Sequence, residues 1–150
     1  MDIEERVQKA TEAHIAGYNC VQSVLMGYED LFDSMEDIIT ATMGIGRGVG
    51  QSYEICGTVL GGAMVISKKF GGYNANREQK HDVEQKIKKF IDEFREDYGA
   101  VTCGDLLGIT NREVVTHKRP CREMVQDVVR RVDKYVNSRI AFLWSIIYGY

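Results

Sequence analysis

Proline is nearly absent from this sequence: Pro120 stands alone in 150 residues. Proline removes a backbone donor and clashes with the preceding turn, so its scarcity permits long uninterrupted helices. Basic excess is missing too. With 19 Lys and Arg against 22 Asp and Glu, the formal net charge is −3, which argues against the clustered positive face of a general nucleic-acid binder. No apolar run approaches the ~20 residues that cross a bilayer. The start, MDIEERVQKA, lacks the cationic and apolar regions of a signal peptide. The expected compartment is therefore the cytoplasm, where thiols stay reduced and structural disulfides are rare. Strand-like alternation is weak throughout.

What remains is helical periodicity. Ile3, Val7, Ala10 and His14 define a first helix that Gly17 ends. Asn19 caps a second, with Cys20, Val21, Val24, Leu25, Tyr28, Leu31 and Phe32 inward. Ser34 with Asp37 starts a short third helix that stops at Gly44. After the glycine-rich stretch GIGRGVG, a fourth runs from Cys56 through Val59, Leu60, Ala63, Met64, Ser67 and Phe70 to Gly71-Gly72. Asn74 or Asn76 caps a long charged fifth, with Val83, Ile87, Phe90, Ile91 and Phe94 inward and Gly99 at its end. Cys103 opens a short segment, CGDLLG. Pro120 opens the last helix, whose stripe of Val125, Val128, Val132, Tyr135, Ile140, Leu143 and Ile147 reads as unbroken. The fold expected is a single-domain, all-α bundle of about five to seven helices with a glycine-rich loop. Tyr28, Phe32, Tyr53, Phe70, Phe90 and Phe94 are expected to pack its core.

Four cysteines carry the chemistry. Cys20, Cys56 and Cys121 stand at helix starts and Cys103 at a turn. One short helix returns the chain between Cys20 and Cys56, and the fifth helix runs back antiparallel to the fourth. The four sulfurs are thus expected to converge at one pole of the bundle. Helix amino ends favour thiolate, the form that attacks disulfides and ligates metals, whereas apolar burial opposes it. Gly57 and Gly61, one turn apart, cost helix propensity and mark a close approach of another segment.

Asn19-Cys20 before VQSVL, GIGRGVG, Cys56-Gly57-Thr58-Val59-Leu60-Gly61, Cys103 before Leu-Leu-Gly, and Cys121 before an amphipathic helix occur together in this order. The combination resembles the family named for its C_GCAxxG_C_C signature over about residues 15–135. The resemblance implies a redox role inferred largely from the cysteines. Thr58 departs from the family's usual alanine and adds a hydroxyl beside Cys56. The apolar stretch of about 136–150 reads as an addition to that core and as a candidate homodimer face.

Two chemistries follow. Thiol and disulfide cycling would centre on Cys56, the sulfur in the most unusual backbone, with Cys20 or Cys121 as partner and Cys103 nearby. Alternatively Cys20, Cys56, Cys103 and Cys121 would together hold an iron–sulfur cluster or zinc. Third, the domain would serve mainly as an oligomerisation or partner-binding unit. Gly46, Arg47, Gly48 and Gly57 are candidates for binding a cofactor or anion at the sulfurs, although GIGRGVG lacks the ending of a P-loop. No CxxC, no G-x-S-x-G and no Cys-His-Asn neighbourhood is present. Glu78 and His81 have di-iron spacing but sit on a charged helix, which favours a solvated face. His117, four residues before Cys121, reads as a loop histidine.

Overall fold

The structure, a computed structural model, describes residues 1–109, 120–137 and 146–147. Among them the chain is all-α, with seven helices and no sheet. Helix α1 spans Ile3–Ile15, α2 Cys20–Gly27, α3 Met35–Ala41, α4 Gly57–Phe70, α5 Arg77–Tyr98, α6 Cys103–Leu106 and α7 Cys121–Val136. The caps follow from local chemistry. Asn19 accepts from the Gln22 N–H at 2.9 Å while the Gln22 side chain accepts from the Asn19 N–H at 3.1 Å, a reciprocal pair that satisfies two orphan donors. Asn76, rather than Asn74, caps α5, and Gly99 ends it at φ 80°, a left-handed position where glycine pays no Cβ penalty.

Helix α2 lies against α1, α4 and α7, and α4 also packs on α5. Val21, Val24, Leu25, Val59, Ile66, Phe90, Val125 and Val128 are fully buried between them. Each such side chain contributes about 1.5–3 kcal/mol when withdrawn from water. Small residues set the spacing. A Cβ on Gly61 would stand 3.0 Å from the Val21 carbonyl oxygen, and one on Gly62 would stand 2.7 Å from Phe90 Cζ. Those glycines let the backbone of α4 press against α2 and against the Phe90 ring.

Three expectations need correction. The second helix does not reach Phe32; it stops at Gly27 and a 3-10 turn, Glu29–Leu31, follows. The cause is α1. Arg6, a buried residue of that helix, donates to the Gly27 carbonyl at 3.2 Å and pairs bidentately with Asp30 at 2.5 and 3.0 Å. This draws the chain out of its helix. Helix α7 ends at Val136, where Asn137 turns extended with φ −71° and ψ 118°, so the stripe is interrupted there. Ile140, Leu143 and most of the candidate dimer segment lie outside the described residues, and Ile146 and Ile147 are exposed. Of the aromatics, Tyr28, Phe90 and Phe94 are fully buried and Phe32 and Phe70 half-buried against the core. Tyr53 instead borders a cavity beside the cysteines. No described helix is long and apolar enough to cross a membrane.

Candidate functional site

Cys20, Cys103 and Cys121 are the first residues of α2, α6 and α7, and Cys56 is the residue that precedes α4. Three of these positions are held by identifiable contacts. The Asn19 amide donates to the carbonyls of Thr42 and Met43 at 2.9 and 3.2 Å, tying the amino end of α2 to the end of α3. The chain after α5 then returns to the start of α4. The Cys56 N–H donates to Val101 O at 2.8 Å, the Cys103 N–H to Glu54 O at 2.5 Å, and the Gly104 N–H to Tyr53 O at 3.0 Å. Ile55 and Thr102 are opposite each other in this short antiparallel bridge. Because side chains alternate along such a ladder, Cys56 and Cys103 leave it on the same face, as diagonal neighbours. Helix α4 meets α2 nearby: a Cβ on Gly57 would stand 3.0 Å from Cys20 Cβ.

The outcome is one cavity of about 250 Å³ that all four cysteines line. Leu106, Ile109 and Met124 give it apolar walls, and Tyr53, Thr58 and Arg47 add polar groups. Leu106 lies three residues beyond Cys103 and Met124 three beyond Cys121, so helical spacing alone would have placed both beside a sulfur. Sequence reasoning passed over them, and over Tyr53 as a cavity residue. None of the four sulfurs is in a disulfide.

The sulfurs differ electrostatically. Hydrogen bonding between the Cys20 thiol and the Cys121 sulfur pulls Cys121 down to about 6 and pushes Cys20 well above the ordinary thiol range, where burial adds to the rise. Burial pushes Cys56 up. The hydroxyl of Thr58, 3.0 Å from the Cys56 sulfur, and the N–H groups of Thr58 and Val59 oppose that shift without cancelling it. At Cys56, then, desolvation outweighs the helix start. Cys103 is pushed up to about 11 by burial and then by the neighbouring Cys56 and Cys121, while the Arg47 cation pulls the other way.

The family model described as putative redox-active protein (C_GCAxxG_C_C) matches residues 18–135. The chain belongs to this family. No curated protein and no solved structure matches it significantly. All four cysteines that line the cavity of this C_GCAxxG_C_C protein fall within the matched residues.

The glycines near the sulfurs have packing roles. A Cβ on Gly46 would stand 2.6 Å from Asn19 Cβ, and one on Gly48 would stand 2.4 Å from Glu54 N. Arg47 and Gly48 lie in the left-handed region, at φ 52° and 67°, and Val49, Gly50 and Gln51 continue it at φ 67°, 59° and 64°. The loop closes through hydrogen bonds from the Tyr53 and Glu54 N–H groups to the Arg47 and Gly48 carbonyls, at 3.2 and 2.9 Å. Among the described residues no three of His, Cys, Asp and Glu gather closely enough to hold a metal ion. The four sulfurs thus share a cavity without converging on the coordination point of a single ion such as zinc. Glu78 and His81 are exposed on α5, away from the cavity lining, and His117 lies outside the described residues.

Proposed function

We propose that this protein is a thiol-based oxidoreductase of the cytoplasm in which Cys121 attacks disulfides and Cys20 resolves the product. The observation that carries this reading is the one cavity that Cys20 and Cys121 line together, where the neighbouring Cys20 thiol pulls Cys121 down to about 6. A thiolate is the attacking species, and a depressed pKa supplies it near neutral pH. The Cys121 thiolate attacks one sulfur of a substrate disulfide, and the other leaves as a thiolate that takes up a proton. Cys20, on giving up its proton, attacks the Cys121 sulfur of the mixed disulfide and releases the second substrate thiol. The substrate disulfide gains two electrons and the Cys20–Cys121 pair loses them. A dithiol reductant regenerates the pair.

On this reading Cys56 is not the nucleophile, because burial pushes its thiol up, against thiolate formation. Cys103 is its diagonal neighbour, and diagonal neighbours in such a ladder ordinarily stand roughly 7 Å apart, beyond the ~4 Å of a disulfide. Mapping the exchange tests the proposal. Reduced protein is mixed with a small disulfide, quenched in acid, alkylated and mapped by mass spectrometry. The expected product links Cys20 to Cys121, and Cys20→Ser traps substrate on Cys121. Unimpaired exchange by Cys121→Ser would refute it, as would stoichiometric metal bound through all four sulfurs after anaerobic purification.

A further inference from the structure

Of the cavity's described lining residues, Arg47 is the one Lys or Arg, and none is Asp or Glu. Arg6, Arg95, Arg130 and Arg131 each pair with a carboxylate, whereas Arg47 pairs with none among the described residues. Its guanidinium is exposed at the edge of the cavity, close enough to Cys103 to pull on that thiol. The backbone that carries it is strained. Arg47 has a left-handed φ of 52°, a conformation that costs an ordinary residue about 1–2 kcal/mol and persists only where surrounding structure imposes it. The imposition is visible. The Arg47 carbonyl accepts from Tyr53, and Gly48 is so tight against Tyr53 and Glu54 that no Cβ would fit. The loop is built to present this side chain at the sulfurs.

We infer that Arg47 selects the substrate: the cavity takes low-molecular-weight disulfides that carry a carboxylate, whose anionic end pairs with the Arg47 guanidinium while the disulfide reaches Cys121. Guanidinium matches a carboxylate with two parallel N–H donors, a geometry that lysine cannot reproduce. A volume of about 250 Å³ admits a small molecule or one end of it, not a folded partner. The apolar walls suit the methylenes between the carboxylate and the sulfur. The exchange itself balances as above; Arg47 adds no electron or proton and acts by binding alone.

This inference rests on the exchange reading, and its test separates the two. Second-order rates are measured for the full chain with dithiodipropionate, hydroxyethyl disulfide and cystamine, which are anionic, neutral and cationic. Because leaving thiols differ in acidity, the informative quantity is each variant's ratio of dithiodipropionate rate to cystamine rate. Arg47→Gln is expected to lower that ratio about fivefold to tenfold, and Arg47→Lys to lower it less. In the wild type the same ratio is expected to fall as salt rises, with the dithiodipropionate loss appearing in KM rather than kcat. A ratio unchanged in Arg47→Gln, including the case where all three rates fall together, overturns the inference and leaves the exchange chemistry standing. Failure of the wild type to react with any of the three overturns both.

Discussion

Removing the Cys20 thiol should change the pH dependence of Cys121 more than its rate at neutral pH. With a pKa of about 6, Cys121 is roughly 90% thiolate at pH 7, whereas an ordinary thiol near 8.5 is roughly 3%. The thirtyfold or so gain in thiolate is offset by lower intrinsic nucleophilicity. With a Brønsted slope of about 0.45, a drop of roughly 2.5 pKa units costs about 13-fold. The net advantage at pH 7 is thus only about twofold. At pH 6 it grows to roughly 12-fold, near pH 7.4 it vanishes, and at pH 9 Cys121 reacts about tenfold more slowly than an ordinary thiol.

That crossover is the signature to measure. Iodoacetamide labelling is followed from pH 5 to 9 and read at the Cys121 peptide by mass spectrometry, since the other three thiols are shifted upward. The wild-type rate should reach half its plateau near pH 6 and flatten by pH 7. Cys20→Ala should move that midpoint up by two units or so, toward the ordinary thiol near 8.5. Cys20→Ser, which keeps a donor, should stay closer to the wild type. A wild-type midpoint above about 8, or one unmoved by Cys20→Ala, refutes the reasoning that Cys20 pulls Cys121 down.

Two further predictions concern the frame. In Gly62→Ala the new methyl would lie 2.7 Å from Phe90 Cζ and 3.0 Å from Val128 Cγ1, both on fully buried side chains. Overpacking of about 1–3 kcal/mol should outweigh the helix-propensity gain of up to ~1, giving net destabilisation of about 1–2 kcal/mol in urea unfolding; a stabilised variant would contradict the packing. Val49 is β-branched at φ 67° and partly exposed, so Val49→Gly should relieve about 1–2 kcal/mol of left-handed strain. Glycine's extra chain entropy returns about 0.5–1, which leaves a gain of roughly 0.5–1 kcal/mol in the same assay. A loss of stability there would mean that the loop is not left-handed.

Much of this arrangement was legible locally. Asn19, Ser34, Asn76 and Gly99 are read correctly as helix punctuation because caps are satisfied within a few residues. Helix starts placed the cysteines, and connection lengths brought the end of α5 back to Cys56. What escaped depended on distant partners. The end of α2 is decided by Arg6 and Asp30, which lie 24 residues apart. A run of left-handed residues at Arg47–Gln51 cannot be read from a stretch that includes valine and glutamine, because it follows from the tight closure on Tyr53 and Glu54. The break at Asn137 is equally silent in a pattern whose apolar period continues past it.

By itself, then, the sequence determined an all-α chain with a redox family's cysteines at the amino ends of its helices, since periodicity, caps and motif order are properties of short segments. Only the tertiary structure sets the surroundings that push each thiol up or down. Helix position favours thiolate at Cys56 as it does at Cys121, but a thiol pKa answers to its immediate surroundings. Burial pushes the Cys56 thiol up, and hydrogen bonding from Cys20, a hundred residues away in the chain, pulls Cys121 down. The glycine-rich loop likewise changed meaning. Its glycines are spacers, and what they hold at the sulfurs is Arg47.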